Sequence, residues 1–285
     1  MQVIRAKVLG FCMGVRRAVE TAVNALDQNR DGTKKIFTLG PLIHNPTVLA
    51  SLEERGLRLL DADNMDEVDS SSVVVIRAHG TTPDVLSRLE SRKAVVLDAT
   101  CPRVHLSQKR AREWSEKGFD IIIAGDRNHG EVVSISSYAK TPVTVIESAE
   151  EAEKLFLPEN SVLIAQTTFS PVEFEKICTI LKRKNSQLQV FNSICSATME
   201  RQNALSELEG RADGLLIIGG KNSANTRRLY DSGTRYFSKC HLVENELEIP
   251  ACFMAMERVA ISAGASTPDS TIDAVENALL LGQTE

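Results

Sequence analysis

Apolar and polar positions follow a recurring order along the chain: a short β-rich run, a loop containing Gly, Ser, Thr or Asn, and then a helical pattern. One helix is predicted after residue 12, where apolar residues recur at helical spacing: Val15, Ala18, Val19, Ala22, Val23 and Leu26. Further helix starts are marked by a capping residue before a proline, at Asn45-Pro46, Thr82-Pro83, Ser170-Pro171 and Thr267-Pro268. This order predicts an α/β fold with parallel strands.

These units form a larger repeat of three similar four-strand modules, each opening with a cysteine on a strand-to-helix loop. The period is about 90 residues, and we predict modules at 1–98, 99–192 and 193–285, with Cys12, Cys101 and Cys195. After the cysteine, the copies continue with LGPLIHNP and VVVIRAHGTTP, with IIIAGDRNHGE and VLIAQTTFSP, and with LLIIGGKNSAN and VAISAGASTP. Because loops beyond the carboxyl ends of parallel strands bind ligands, we expect a pseudo-threefold arrangement around one central cavity. The alternative is that Gly- and Ser-rich loops are simply common to α/β domains.

Composition narrows the functional classes. Of 285 residues, 42% are apolar and 25% are charged, which is typical of a globular protein. The formal charge of −5 gives no overall positive field, so we expect no nucleic acid and no membrane as partners. No apolar run approaches the ~18 residues of a membrane span, and residues 1–10 lack a signal peptide's apolar block. With six widely spaced cysteines, a cytoplasmic protein with reduced thiols is predicted.

Cys12, Cys101 and Cys195 are candidate metal ligands. Each follows a predicted strand and precedes a predicted helix, whose N-terminus favours the thiolate form. Paired C-x-x-C spacing is absent, which disfavours a closed zinc site, whereas three thiolates suit a [4Fe–4S] cluster with one iron left open. Three unrelated buried thiols are the alternative. The other three cysteines are predicted to be packing residues: Cys178, Cys240 and Cys252.

Polar residues of the motif loops are candidate anion ligands. The histidines at motif positions are His44, His79 and His129, whereas His105 and His241 lie outside the motifs. Imidazoles near helix N-termini offer donors to phosphate, and the loops with Ser223, Asn225 and Ser266 add hydroxyl, amide and backbone donors. The alternative for each of them is a simple capping or surface role.

Glu131 is a carboxylate in an otherwise donor-rich loop, two residues after His129. A water-poor pocket can raise a glutamate pKa and make it a general acid near neutral pH, and Thr167 or Thr168 could relay the proton or orient the acid. The alternative is a first-turn glutamate that complements the helix dipole.

Nine motifs, in this order and spacing, resemble those of one family: GFCMGV, HNP, RAHG, DATCP, NHGEV, QTT, CSATMERQ, KNSANT and SAGAS. The family is 4-hydroxy-3-methylbut-2-enyl diphosphate reductase, the last enzyme of the methylerythritol phosphate route to isoprenoids. The resemblance covers essentially the whole chain and implies three α/β domains around a [4Fe–4S] cluster held by Cys12, Cys101 and Cys195. It also implies reductive removal of the substrate's allylic hydroxyl, with electrons from ferredoxin or flavodoxin, to give isopentenyl and dimethylallyl diphosphates.

The resemblance also implies roles for individual residues. Glu131 matches the proton donor, Thr167 the residue that hydrogen-bonds the hydroxyl, and His129 a residue that assists proton delivery. The residues matched to diphosphate binding are His44, His79, His129, Ser223, Asn225 and Ser266. Two positions depart from the family: Ala224 removes a hydroxyl donor, so we expect weaker or rearranged binding, and Gly130 replaces a common proline and adds backbone freedom.

Two other functional classes stay open from the residues alone. A cysteine nucleophile assisted by a loop histidine would predict one essential cysteine instead of three. A redox- or iron-sensing protein would bind a phosphorylated metabolite tightly without turnover.

Overall fold

The computed structural model describes residues 1–43 and 45–282. The strands in this part of the chain are short: β1 (Gln2–Arg5), β2 (Lys35–Leu39), β3 (Leu57–Leu60), β4 (Ser72–Ile76), β5 (Val95–Asp98), β6 (Asp120–Ala124), β7 (Val143–Ile146), β8 (Ser161–Ala165), β9 (Gln189–Phe191), β10 (Gly214–Ile218), β11 (Cys240–Val243) and β12 (Arg258–Ala263). The helices between them are α1 (Met13–Gln28), α2 (Pro46–Glu54), α3 (Pro83–Ser91), α4 (Pro102–Glu116), α5 (Gly130–Ser137), α6 (Ala149–Lys154), α7 (Pro171–Lys184), α8 (Ser196–Ser206), α9 (Ala224–Gly233), α10 (Ala251–Met254) and α11 (Asp269–Leu281), with a 3₁₀ turn at Glu246–Glu248. None of the helices in the described residues combines the length and the apolar content that a membrane span requires.

The strands form three four-stranded sheets with the same internal order, and every strand pair is parallel. The orders are β3-β2-β4-β5, β7-β6-β8-β9 and β11-β10-β12-β1. The predicted α/β class with three parallel-sheet modules is therefore confirmed.

The first strand lies outside its predicted module. The sequence repeat predicts β1 in module 1–98, whereas β1 pairs with β12 in the third sheet, with Gln2 opposite Arg258. In the first sheet the position beside β4 is occupied by β5, whereas β12 needs a partner for the backbone groups of its outer edge. Cys101 and Cys195 thus follow β5 and β9, the fourth strands of the first and second sheets. Cys12 follows β1, the fourth strand of the third sheet.

Central strands with no polar face explain why all three sheets are covered by helices. In β4, β8 and β10 every residue is buried, as expected for parallel strands packed on both faces. In the third sheet, Leu216 and Ile218 pack with residues of α11, whereas Leu215 and Ile217 pack with residues of α8 and α9.

The described fold divides into two compact units. Unit 1 comprises Met1–Arg16, Ile43–Ala50 and Ser196–Glu285 and contains the third sheet. Unit 2 comprises Arg17–Leu42 and Ser51–Cys195 and contains the first and second sheets. The boundaries 1–98, 99–192 and 193–285 stay a prediction.

Three of the four predicted helix starts lie where the proline signal placed them. α2, α3 and α7 begin at Pro46, Pro83 and Pro171. α11 differs, because Pro268 is its N-cap and the helix begins at Asp269. The hydroxyl of Thr267, predicted to cap this helix, instead donates to the carbonyl of Ile218 at 2.9 Å.

Two glycines of unit 1 let α9 approach the strand ends. A β-carbon on Gly219 would lie 2.5 Å from Thr267 Oγ1 and 3.1 Å from Thr226 Oγ1, and one on Gly264 would overlap Thr226 Oγ1 at the start of α9. The N-terminus of α9 is therefore held against the carboxyl ends of β10 and β12.

We predict that Gly264→Ala lowers thermal stability, because overpacking of this kind costs about 1–3 kcal/mol. Adding Thr226→Ala removes the overlapping hydroxyl and should restore most of the loss. Melting temperatures of the wild type, both single variants and the double variant measure the coupling. Equal melting of Gly264→Ala and wild type would contradict the packing described for α9.

Candidate active site

The three motif cysteines are anchored by the same backbone contact. Each cysteine N–H donates to a carbonyl two residues beyond the end of the third strand of a module. The pairs are Cys12 to Ala265 at 3.1 Å, Cys101 to Ala78 at 3.0 Å and Cys195 to Thr167 at 2.7 Å. The cysteines therefore occupy equivalent positions in the repeat.

Each of these cysteines also stands directly before a helix, namely α1, α4 or α8. The N–H of Val15 in the first turn of α1 approaches Cys12 Sγ at 3.4 Å. All three side chains are half-buried, and none is in a disulfide in the described part of the chain. The N–H groups of a helix N-terminus can donate to sulfur, which is the ligand atom that holds iron–sulfur clusters.

The remaining cysteines differ from these three. Burial raises the pKa of Cys240 on β11 to about 12 and also raises the pKa of Cys178 on α7, as expected for packed thiols. Cys252 was predicted to be a packing residue as well, and this is wrong. It is exposed on α10, a helix of four residues that buries Phe253 instead.

Glu131 is held by two hydrogen bonds within unit 2. The N–H of Thr167 donates to Oε1 at 2.6 Å, and the hydroxyl of Thr167 donates to Oε2 at 2.7 Å. Only 1% of Glu131 is exposed, although it stands in the first turn of α5. Complementing the helix dipole needs no such burial or partner, so this alternative does not account for the arrangement.

His129 shapes the loop that carries Glu131. It is the N-cap of α5, and its Nδ1 accepts a hydrogen bond from the Glu131 N–H at 3.2 Å. A neutral His129 therefore carries its proton on Nε2. The ring of His79 lies edge-on to it, with 4.9 Å between the ring centroids. Unit 2 thus brings His79, His129, Glu131 and Thr167 together, whereas His44 lies outside the described residues.

A buried network that the sequence did not indicate supports the same loops. Gln108 Nε2 on α4 donates to Ser134 Oγ on α5 at 2.7 Å, and Ser134 Oγ donates to the Thr81 carbonyl at 3.1 Å. His105, outside the motifs, contacts Gln108 Oε1 through Nδ1 at 3.0 Å. Polar residues on the buried face of α4 are the only trace of this network in the sequence, and such residues do not reveal their partners.

Unit 1 presents a second group of donors at the N-terminus of α9. Ser223 is the N-cap and accepts from the Thr226 N–H at 3.3 Å. Asn225 is buried, and its Nδ2 has no hydrogen-bond partner among the described residues. Ser266 is buried next to Ala265, which anchors Cys12. A buried amide donor beside a helix N-terminus fits an anionic group.

Comparison with known proteins bears on what these loops do. The family model described as LytB protein matches residues 3–280. The chain belongs to the LytB family. Relatives named 4-hydroxy-3-methylbut-2-enyl diphosphate reductase include those of Treponema denticola, 46% identical over 99% of this chain and 100% of the relative, and Pelobacter propionicus, 40% identical over 96% of each.

Solved structures of related proteins are also similar to this chain over nearly its whole length. One is described as (E)-4-hydroxy-3-methyl-but-2-enyl diphosphate reductase, the terminal enzyme of the non-mevalonate pathway, with 33% identity, a TM-score of 0.74 and coverage of 98% and 99% of the two chains. Another is the E-1-hydroxy-2-methyl-but-2-enyl-4-diphosphate reductase of Plasmodium falciparum, with 27% identity, a TM-score of 0.88 and coverage of 97% of this chain and 87% of the other.

We predict that Thr167→Val destabilises the protein by about 1–3 kcal/mol, because the buried carboxylate of Glu131 loses a donor. Thr167→Ser keeps the hydroxyl and should cost less. Thr144→Val, on an exposed position of β7, is the matched control and should melt like the wild type. Thermal unfolding of the three variants measures the difference, and equal stability of Thr167→Val and Thr167→Ser would contradict a role for the hydroxyl.

Proposed function

We propose that this chain removes the allylic hydroxyl of (E)-4-hydroxy-3-methylbut-2-enyl diphosphate, the reaction for which its LytB relatives are named. Two electrons and two protons convert the substrate to water and a mixture of isopentenyl and dimethylallyl diphosphates. The observation that carries the proposal is the buried Glu131 carboxylate bound twice by Thr167, in a chain of this family.

Glu131 and Thr167 are assigned to proton delivery. When Glu131 carries a proton on Oε2, the hydrogen bond to Thr167 Oγ1, 2.7 Å away, runs in the opposite direction, with Oε2–H as the donor. The Thr167 hydroxyl can then pass its own proton to the departing oxygen as it takes the proton of Glu131. The N–H of Thr167 holds the other carboxylate oxygen and so fixes the orientation of the acid. His129, as the N-cap of α5, holds the backbone of Glu131 and offers Nε2–H as a further donor.

The donor chemistry of the motif cysteines fits the iron–sulfur cluster that the family implies. Iron–sulfur clusters are held by thiolates, and Cys12, Cys101 and Cys195 share one backbone arrangement at helix N-termini. We assign these three residues to a [4Fe–4S] cluster. When bound, the cluster supplies the electrons and a Lewis acid for the loss of the hydroxyl. A small redox protein such as ferredoxin or flavodoxin is proposed as the electron donor.

The diphosphate is assigned to the residues that match the family's binding residues. They are Ser223, Asn225, Ser266, His79 and His129. His44, outside the described residues, is part of the same assignment. Ala224 is the first residue of α9, so its backbone N–H is a helix N-terminal donor that can replace a missing serine hydroxyl.

We predict that Glu131→Gln retains iron and sulfide but lowers kcat by about 10²–10⁴-fold, because the amide cannot deliver the proton. The assay is anaerobic conversion of the allylic diphosphate with a strong artificial reductant. Glu150→Gln, at an exposed first-turn glutamate of α6, is the control for a helix-dipole effect and should keep wild-type turnover. Turnover of Glu131→Gln at the wild-type rate would remove Glu131 from its role.

Anaerobically purified protein is expected to contain about four iron and four sulfide per chain. Cys101→Ser should lose them. Alkylation at pH 8 should label Cys252 in the holoprotein and, after the iron is removed, also Cys12, Cys101 and Cys195. Cys240 should stay slow in both cases, because a thiol whose pKa is raised to about 12 is roughly one part in ten thousand thiolate at pH 8.

The same measurements separate the other functional classes. Zinc alone, or no metal in anaerobic protein, together with one essential cysteine, would favour the nucleophile hypothesis. A cluster with tight diphosphate binding but no turnover under strong reductant would favour a sensor.

A further inference from the structure

Arg77 lies against the loop that carries the proposed acid. It follows β4 directly and stands two residues before His79. Its Nη2 lies 2.5 Å from the position that a β-carbon on Gly130 would take, and its Nη1 lies 3.3 Å from the corresponding position on Gly40. The guanidinium therefore rests on the backbone of Gly130, between His129 and Glu131, and any side chain there would displace it.

The charge of Arg77 has no counterion in the described part of the chain, where no hydrogen bond or ion pair involves its guanidinium. Burial lowers the pKa of Arg77, and no neighbouring acid opposes this effect. Arg5 shows the opposite, since hydrogen bonds to Glu276 and Asp273 raise its pKa. A largely buried and unpaired charge is costly, so its retention needs a reason.

The guanidinium also lies at the positive end of a helix dipole. Gly130 is the first residue of α5, where the helix dipole presents its positive end. His79 and His129, whose rings are 4.9 Å apart, flank the same loop and offer further N–H donors. An anion contacting this loop would offset the charge of Arg77, and the helix end would favour the same anion.

We propose that Arg77 is a further substrate-binding residue, which donates guanidinium N–H groups to the diphosphate of the substrate and for which Gly130 provides the space. The inference rests on the proposed function for the identity of the anion. Its role is to bind the substrate and not to support the fold.

The first test measures binding of inorganic diphosphate to the anaerobically purified holoprotein by titration calorimetry. Arg77→Met should weaken binding by about ten- to a hundred-fold, the range expected for lost charge-assisted hydrogen bonds. Arg77→Lys keeps the charge but not the planar fork and should give an intermediate value. Arg58→Met, an exposed arginine on β3 beside Glu67, is the control and should bind like the wild type. In turnover, the effect of Arg77→Met should appear mainly in KM.

The second test distinguishes binding from structural support. Without anion, Arg77→Met should melt no lower than the wild type, because it removes an uncompensated charge. Diphosphate should raise the melting temperature of the wild type more than that of the variant. Gly130→Ala should weaken diphosphate binding by displacing the guanidinium, and the same change made with Arg77→Met should add nothing further.

Several outcomes would overturn the assignment of Arg77. They are a dissociation constant of Arg77→Met within twofold of the wild type, a large loss of melting temperature without anion, and no binding of inorganic diphosphate by the wild type. If the wild type binds diphosphate through Arg77 but does not reduce the allylic substrate, the proposed reaction fails while the anion site stands.

Discussion

Thr167 links Glu131 and Cys195 in unit 2 through three hydrogen bonds. Its N–H and hydroxyl hold the two oxygens of Glu131, and its carbonyl accepts the N–H of Cys195. Thr167 lies two residues beyond β8, whose five residues are all buried. The rigid strand therefore fixes both an acid and a thiol, and a shift of this loop would move them together.

The same backbone hydrogen bond anchors the motif cysteine in all three modules, whereas the neighbouring side chains differ. Ala78, Thr167 and Ala265 each accept the N–H of a motif cysteine. The side chains around these carbonyls differ, with His79 beside Ala78 and Ser266 beside Ala265. The repeated anchor therefore provides three equivalent thiol positions. The side chains of the loops differ between the modules and provide a carboxyl group, imidazoles or hydroxyls. This division explains how three sheets of the same strand order can carry different side-chain chemistry.

Charge is distributed unevenly around the loop of residues 129–131. The carboxylate of Glu131 is buried but bound by two donors, so its environment is complete. Arg77, which lies against Gly130, is largely buried without a counterion in the described structure. Since the carboxylate of Glu131 is hydrogen-bonded and the guanidinium of Arg77 has no counterion, this loop is suited to binding an anion.

The sequence by itself determined the fold class, the threefold recurrence of strand and loop, and the identity of the motif residues. These features follow from local periodicity and from the residue types of the loops, both of which neighbouring residues define. Only the tertiary structure decided that β1 completes the third sheet, because pairing between residues 2–5 and 258–261 depends on which strand edge is left open. It likewise decided that Thr167 holds Glu131, that Thr267 bonds to a strand end, and that Cys252 is exposed. The sequence does not fix such roles, because the direction of a side chain is set by the packing of distant segments, which no local pattern records.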